Sequence, residues 1–359
     1  MKAAVFHGAH QPLVIEELEI AKPMEREVLV RTVASGVCHS DLHHVEGLYP
    51  LDAPAVLGHE AAGVVEAVGS QVTYVKPGDH VIACVSVFCG QCARCLSGQP
   101  HLCMNKPNRA KSDPPRLSRG GRPVVQFAAV AGYADHMLLA ETGLVKIDPE
   151  FPMDRAALIG CGVITGVGAV LHTAMVERGA PVAVFGAGGS GLSAIQGARI
   201  AGARMIIAVD INEAKLGRAL EMGATHVVDS STGDAVAKLR GLTDGGADYT
   251  FEAIGLKQTA EQAFYALRPG GTCTVIGMIP VGHKVELEGR FLLGERKIQG
   301  CTMGSNRFRI DMPMLIEFHR QGRLKLEEMI TRRGRLEDVN EAFRAMKAGE
   351  VARTVLMFP

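Results

Sequence analysis

One segment of the chain, residues 181–210, constrains the fold most strongly because it joins two apolar runs through a glycine-rich turn. The run 181–185 predicts a buried strand, and the hexapeptide 186–191, Gly-Ala-Gly-Gly-Ser-Gly, follows it and opens a helical pattern. A second apolar run, 205–209, ends at Asp210, 19 residues beyond Gly191. Such a unit lets the backbone approach a pyrophosphate at the helix N-terminus, while the acid accepts hydrogen bonds from ribose hydroxyls. The segment therefore predicts a dinucleotide site, in preference to a glycine turn that only packs a helix on a strand.

Helical and apolar patterns continue to alternate after this segment. Further strands are predicted at 227–228, 249–252, 272–276 and about 297–301, with helices at 191–202, 214–222 and around 258–267. This alternation is typical of an α/β fold with a doubly wound parallel sheet.

The N-terminal part of the chain has a different pattern. Residues 1–150 contain short β-branched runs separated by glycine and proline, which predict a small β-barrel. The basic segment 105–123 is predicted to be an exposed loop with a solvated charge. After Met303, two helical patterns and an apolar run at 354–358 follow. We expect this tail to return to the N-terminal domain.

Charge, apolar length and cysteine usage argue against several classes of protein. The 38 basic and 38 acidic residues cancel, which favours neither nucleic acid nor an anionic membrane as a partner. Residues 156–176 are long enough to cross a bilayer, but they include four glycines and His172. We predict a buried turn followed by a buried helix there. The start of the chain lacks a leader pattern, and the odd number of nine cysteines fits a reducing cytoplasm with metal-bound thiolates.

Four closely spaced cysteines predict a structural zinc site. They lie within fifteen residues, at Cys89, Cys92, Cys95 and Cys103. Four thiolates around a tetrahedral zinc ion form a closed site that leaves no position for a substrate. Free or redox-active thiols are the alternative, but they would be exposed to oxidation. A DNA-binding finger is disfavoured by the neutral charge and the missing recognition helix.

A second set of metal ligands is distributed along the chain. Residues 36–43 contain Cys38, a hydroxyl, a carboxylate and histidines, and the distant segments 58–60 and 160–162 supply His59 and Cys161. Two thiolates and one imidazole leave a fourth zinc position open, as in catalytic sites that bind an alcohol oxygen. Each residue alone has a structural interpretation as a buried cysteine or a core histidine. Together with the dinucleotide motif, the catalytic interpretation is favoured.

These motifs resemble those of the zinc-dependent medium-chain alcohol dehydrogenases over essentially the full length of the chain. The shared segments are 36–41, 58–60, 89–103, 160–162, 186–191 and 353–354. The resemblance implies a discontinuous GroES-like catalytic domain, residues 1–162 and 303–359, and a Rossmann NAD-binding domain, residues 163–302. It also implies a homodimer or a homotetramer.

The resemblance further implies a role for each candidate residue. Cys38, His59 and Cys161 would bind the catalytic zinc, Glu60 would approach it during ligand exchange, and Asp41 would orient His59. Ser40 would take the substrate proton, and His43 would pass it to solvent through the nicotinamide ribose. The residues expected to contact the cofactor are His39 and Arg353 at the pyrophosphate, Thr165 under the nicotinamide, Lys215 at the adenosine ribose, and Gly186, Gly188, Gly189, Gly191, Asp210, Ile276 and Met278.

The reaction expected from this resemblance is reversible hydride transfer between a primary alcohol, or its aldehyde, and NAD, with zinc as the Lewis acid. Asp210 favours NAD over NADP because it would face a 2′-phosphate with like charge. Val85 stands where several relatives place an aromatic ring, which suggests a bulky or aromatic alcohol. The alternatives are a thiol-adduct formaldehyde dehydrogenase on the same scaffold and a non-enzymatic NAD-binding relative. Retention of every candidate zinc ligand argues against the latter.

Overall fold

The computed structural model describes residues 1–359 and divides them into two compact units. The first unit comprises Met1–Cys161, Arg307–Glu317 and Leu326–Pro359, and the second comprises Gly162–Asn306 and Phe318–Lys325. The division differs from the predicted domain boundaries mainly at Phe318–Lys325. Within this segment, the backbone of Lys325 pairs with the Gln196 side-chain amide of the second unit through two hydrogen bonds of 3.1 and 2.7 Å.

The N-terminal part of the first unit is rich in β-structure, as predicted. Its strands are β1 Lys2–Phe6, β2 Val14–Glu17, β3 Glu19–Ile20, β4 Glu27–Gly36, β5 Ala55–Val56, β6 Ala61–Val68, β7 His80–Ala83, β8 Leu117–Arg119, β9 Arg122–Pro123, β10 Val125–Gln126, β11 His136–Ala140 and β12 Leu144–Ile147. Its helices are α1 His39–Val45, α2 Ala93–Leu96 and α3 Met153–Leu158. Buried Val28, Val65, Val81 and Met137 pack together between β4, β6, β7 and β11. This core fixes the ends of β4 and β6, which flank the candidate metal ligands.

The basic segment 105–123 is only partly the exposed loop that was predicted. It contains β8 and β9, and the side chains of Arg109 and Arg116 are buried. Both guanidinium groups donate to the buried carboxylate of Glu27, with N–O distances of 2.5 and 2.8 Å. The prediction of a solvated charge is therefore wrong for these two arginines, because both bind the carboxylate of an acid that is distant in sequence.

The apolar stretch after α3 is helical throughout, so the predicted turn is wrong. A π-helical segment Ile159–Val163, the helix α4 Ile164–Gly168 and a second π-helical segment Ala169–Thr173 follow α3 without a break. Gly160 faces β7, and a β-carbon there would lie 3.0 Å from the carbonyl oxygen of Ala83. The glycine thus serves close packing rather than a turn. Met153–Thr173 is long and apolar enough to cross a membrane, yet 83% of its most apolar window is buried inside the protein.

The second unit contains the predicted parallel sheet. Its elements are β13 Pro181–Phe185, α5 Gly189–Ala201, β14 Met205–Asp210, α6 Glu213–Glu221, β15 His226–Asp229, α7 Ala235–Leu242, β16 Ala247–Glu252, α8 Lys257–Tyr265, β17 Leu267–Val275 and β18 Lys297–Gly300. The strand order is β15-β14-β13-β16-β17-β18, with every neighbouring pair parallel. The fold class is confirmed. The order reverses between β13 and β16, and ligands of such sheets bind beyond the carboxyl ends of the strands at this point.

The C-terminal residues form α9 Phe308–Arg320, β19 Arg332–Gly334, α10 Val339–Lys347 and β20 Thr354–Met357. Strand β20 pairs antiparallel with β4, so that Val355 lies opposite Gly36. This pairing brings Arg353 next to the segment that follows β4.

Candidate zinc centres and dinucleotide site

Three residues from separate segments of the first unit form a buried cluster. Cys38 immediately precedes α1, His59 lies between β5 and β6, and Cys161 lies in the π-helical segment after α3. Their ligand atoms all lie within 4.8 Å of one another, and His59 Nε2 lies 3.2 Å from Cys161 Sγ. Sulfur and nitrogen ligands of a tetrahedral zinc ion lie roughly 3.5–3.8 Å apart. The donor set and its spacing therefore fit zinc with a fourth position left for another ligand.

The orientation of the His59 ring is set by Asp41. One carboxylate oxygen of Asp41 accepts hydrogen bonds from His59 Nδ1 at 3.1 Å and from the Gly58 amide at 2.9 Å. Gly58 has a φ of +87°, and a β-carbon there would lie 2.6 Å from the backbone nitrogen of Tyr133. Only glycine fits this position. Because Nδ1 donates to Asp41, the Nε2 lone pair is available to a metal.

The charges of this cluster also favour a cation. The hydrogen bond from Cys161 holds the pKa of Cys38 well below its usual value, and the same bond, with burial, raises the pKa of Cys161. Burial alone would lower the pKa of His59, but the negative charges of Asp41 and Cys38 raise it well above the usual value. A divalent ion can displace the remaining protons and satisfy all three ligands.

Glu60 and Arg353 form a buried ion pair beside the cluster. Glu60 Oε2 lies 3.5 Å from a guanidinium nitrogen of Arg353, and the side chains are 0% and 5% exposed. Burial alone would lower the pKa of Arg353, but Glu60 and the thiolates raise it. Arg353 also donates to the carbonyl of Val37 at 3.3 Å. The structure thus places Arg353 beside the candidate metal ligands, and its contact with a pyrophosphate stays a prediction.

The candidate proton relay lies on α1. Ser40 Oγ is 3.7 Å from Cys38 Sγ. The ring of His43 stacks on Tyr49 at 6.0 Å, and its Nδ1 is buried without a hydrogen-bond partner. Burial lowers the pKa of His43, against the opposing charges of Cys38 and Glu46. His43 is therefore suited to accept a proton at neutral pH, although its role in a relay remains a prediction.

The four clustered cysteines meet at one point, as their spacing predicted. The Sγ–Sγ distances are 3.5 Å for Cys92–Cys95 and 3.9 Å for both Cys89–Cys95 and Cys92–Cys103. Four sulfurs around a tetrahedral zinc ion lie about 3.8 Å apart. Backbone amides donate to these sulfurs, and such donors lower the pKa of Cys92 to about 6. The four thiols therefore fit a closed zinc site.

The glycine turn of the second unit fits a dinucleotide. A β-carbon on Gly191 would lie 1.7 Å from the carbonyl oxygen of Gly186, so the turn requires glycine there. Apart from its chain neighbours, no atom lies within 4 Å of a β-carbon on Gly188, which precedes α5. Packing against the rest of the chain does not explain this glycine, whereas the predicted close approach of a pyrophosphate would. Asp210 accepts from the amides of Ala187 and Asn212 at 2.8 and 3.0 Å, which fixes the carboxylate beside the turn.

The other predicted cofactor residues are distributed between the two units. His39 is exposed on α1 of the first unit. In the second unit, Thr165 donates to Met303 Sδ at 3.6 Å, and the backbone amide of Lys215 donates to the Asn212 side chain that caps α6. Ile276 and Met278 follow the carboxyl end of β17. Their contacts with a cofactor stay predictions.

Sequence reasoning missed Tyr133 and the exact partners of Asp41. Tyr133 is fully buried, and its hydroxyl donates to the second carboxylate oxygen of Asp41 at 2.9 Å. The only sequence signal was a tyrosine inside the apolar segment 130–134, where its hydroxyl requires a partner.

Comparison with known proteins identifies the family. Residues 24–149 match the alcohol dehydrogenase GroES-like domain, and residues 189–318 match the zinc-binding dehydrogenase family. The chain is 40% identical to an alcohol dehydrogenase class-3 of Cereibacter sphaeroides over 99% of both chains. The chain belongs to the zinc-dependent medium-chain alcohol dehydrogenases. It is also 39% identical to an S-(hydroxymethyl)glutathione dehydrogenase of Saccharomyces cerevisiae, over 99% of this chain and 95% of that protein.

A solved structure of the same family extends over the whole chain. The benzyl alcohol dehydrogenase of Acinetobacter calcoaceticus is 32% identical, covers 100% of this chain and 99% of its own, and has a TM-score of 0.93. The predicted two-domain architecture, with a GroES-like and a Rossmann part, is thereby confirmed. The prediction of zinc and a nicotinamide cofactor agrees with the family and with the two clusters.

Proposed function

We propose that this member of the family oxidises a primary hydroxyl group to an aldehyde, or reduces the aldehyde, with NAD. The observation that carries the proposal is the cluster of Cys38, His59 and Cys161, whose three ligands leave one zinc position open. When bound, zinc supplies a Lewis acid for the hydroxyl or carbonyl oxygen, and NAD supplies the hydride acceptor.

The side chains of the first unit would bind and move protons. Ser40 is near enough to Cys38 to accept the hydroxyl proton of a substrate held at the cluster. His43, with its lowered pKa, would accept that proton in turn and release it to solvent. Asp41 keeps His59 in the tautomer that a metal requires.

The leading candidate substrate is an S-(hydroxymethyl) thiol adduct such as the one formed from formaldehyde and glutathione. The names of the curated relatives at 38–40% identity favour it over an ordinary alcohol. The adduct is itself a primary alcohol, and its oxidation yields an S-formyl thiol, NADH and one proton. Glutathione carries carboxylates, but the buried arginines Arg109 and Arg116 already bind Glu27. We therefore expect neither arginine to bind a carboxylate of glutathione.

A bulky or aromatic alcohol is the second candidate. It is favoured by the similarity to a benzyl alcohol dehydrogenase and by the small side chain of Val85. The carbonyl of Val85 accepts from Lys106 Nζ at 3.2 Å, which holds the backbone at this position.

A panel of substrates with NAD tests both candidates. Formaldehyde with glutathione, formaldehyde alone, benzyl alcohol and ethanol would each be assayed for NADH formation. We expect kcat/KM for the thiol adduct to exceed that for benzyl alcohol by at least about tenfold, equivalent to about 1.4 kcal/mol. The reverse order would favour the aromatic alcohol. Absence of turnover with every primary hydroxyl compound, in protein that retains zinc, would refute the proposal.

We also propose a homodimer or homotetramer and a cytoplasmic location. The location is supported by nine cysteines that are all free of disulfide bonds. The assembly is supported only by the family, and light scattering that showed a monomer at working concentration would contradict it.

A further inference from the structure

A chain of hydrogen bonds extends from the zinc cluster into the core of the first unit. The Tyr133 hydroxyl donates to Asp41 Oδ2 at 2.9 Å, and Asp41 Oδ1 accepts from His59 Nδ1 at 3.1 Å. Tyr133 and Asp41 are 0% exposed, and His59 is 4% exposed. The three residues thus form one continuous buried polar network that ends at a metal ligand.

We propose that Tyr133 is a positioning residue for the catalytic zinc, acting on His59 through Asp41. The terminal torsion of an aspartate is soft, so hydrogen bonds to its oxygens determine the plane of the carboxylate. Oδ1 is held by His59 and Gly58, whereas the hydroxyl of Tyr133 is the donor to Oδ2. Without that donor the carboxylate can turn, and the ring of His59 turns with it.

The hydroxyl of Tyr133 can be separated from the other contributions of this residue. The backbone amide of Tyr133 donates to the carbonyl of Leu57 at 3.0 Å, and Gly132 donates to Gly58 at 2.7 Å. The ring packs in an apolar core and makes an edge contact with Phe343 at 6.2 Å. Phenylalanine would retain the backbone pairing and the ring contacts. The hydroxyl therefore has one short hydrogen bond, to Asp41, and one long contact of 3.5 Å, to the Gly36 carbonyl.

The expected effect is on metal retention. Partners that orient a ligating histidine contribute about 10–100-fold to metal affinity, and Tyr133 acts one hydrogen bond further out. Tyr133→Phe is therefore expected to speed zinc loss from the three-ligand cluster by about tenfold. No residue of this hydrogen-bond network belongs to the four-cysteine site, so the zinc of that site should be retained as in the unchanged protein.

Zinc release from the holoprotein to a coloured chelator tests the inference. The phase that belongs to the three-ligand cluster is the one that Cys161→Ser abolishes. Tyr265→Phe is the matched control, because that hydroxyl accepts from the Glu288 amide at 3.0 Å in the other unit. We expect acceleration only in Tyr133→Phe and only in this phase. Cobalt(II) substituted at the cluster should show a shifted visible absorption in Tyr133→Phe but not in Tyr265→Phe.

A double-variant cycle tests whether the effect passes through Asp41. In an Asp41→Asn background, Tyr133→Phe should change zinc release by less than about twofold, since coupled residues are not additive. A persistent tenfold effect there, unchanged release in Tyr133→Phe alone, or parallel loss of both zinc ions would each overturn the inference. A variant that fails to fold would lose both zinc ions and would therefore count as parallel loss.

The inference rests on the zinc site of the proposed function but not on its substrate. Zinc release is measured without alcohol or NAD, so an incorrect assignment of the substrate would not affect the inference. An unchanged protein that held no zinc at the three-ligand cluster would refute the proposed function itself.

Discussion

Glu60 and Arg353 pair at a distance of 3.5 Å in the interior of the first unit, beside the three predicted zinc ligands. The residues are separated by almost the whole chain, and the pairing of β20 with β4 brings them together. The arginine neutralises a fully buried acid whose position next to the metal ligands would otherwise be costly.

Arg353→Met should destabilise the protein strongly because it leaves the Glu60 carboxylate buried without its counter-charge. The expected loss in the free energy of unfolding is about 3–5 kcal/mol, measured by urea denaturation. The control is Arg31→Met, whose pair with Glu66 is about 40% exposed and should contribute less than about 1 kcal/mol. Adding Glu60→Gln to Arg353→Met should restore part of the loss. Equal effects of the two arginine substitutions would contradict the assignment.

His43→Gln should slow alcohol oxidation at neutral pH. Burial lowers the pKa of His43, so the imidazole remains neutral and able to accept a proton down to lower pH than an exposed histidine. Oxidation through the relay falls as pH drops through this pKa. In the variant the loss should be largest below mildly alkaline pH, with partial recovery in imidazole buffer. His136→Gln, at a half-exposed pair with Glu66, is the control. A pH profile identical to that of the unchanged protein would count against the relay, unless cofactor release limits the rate.

The preference for NAD should depend on the charge of Asp210. A carboxylate about 4 Å from a 2′-phosphate is repelled by roughly 1–4 kcal/mol, so kcat/KM should favour NAD by at least about tenfold. Asp210→Gly should erode this preference by weakening NAD and relieving NADP.

Asp210→Asn is the sharper variant, because it removes the charge but still offers one acceptor oxygen, whereas the two carboxylate oxygens of Asp210 accept separately from the Ala187 and Asn212 amides. It should improve kcat/KM for NADP and disturb the turn less than Asp210→Gly, which removes both acceptors. Equal efficiency with both cofactors in the unchanged protein would show that Lys215 offsets the acid.

Features encoded by neighbouring residues were predictable from the sequence. The spacing of Cys89, Cys92, Cys95 and Cys103 predicted their convergence, and the glycine turn with the alternating strand and helix patterns after it predicted the parallel sheet of the second unit. The set of Cys38, His59 and Cys161 is spread over the chain, and its members were connected by ligand chemistry, the dinucleotide motif and the family resemblance rather than by their spacing.

Other features were not predicted, for two different reasons. Tyr133 and Asp41 are separated by 92 positions, and no local pattern links them. The pairing of Arg109 and Arg116 with Glu27 is equally remote in sequence. Helix α7, in contrast, had a usable local signal, since Asp234 caps it by accepting from the amides of Val236 and Ala237.

Cys103→Ser should remove the zinc of the four-cysteine site and destabilise the surrounding lobe. Loss of a thiolate from a closed site is expected to cost about 3 kcal/mol or more in the free energy of unfolding. The control is Cys301→Ser, because Cys301 lies outside both clusters and pairs with Thr173. Zinc analysis would compare the metal content of the two variants, and urea denaturation would compare their free energies of unfolding. Equal stability of the two variants would contradict a structural role for this site.

We expect one zinc ion to act at Cys38, His59 and Cys161 and a second one only to support the fold. The most direct measurement is the zinc content per subunit, determined together with NAD-linked turnover, for the unchanged protein and for Cys161→Ser. We expect two zinc ions and activity in the unchanged protein, and one zinc ion, no turnover and a largely intact fold in Cys161→Ser. Active protein with fewer than two zinc ions, or turnover that survives Cys161→Ser, would contradict this expectation.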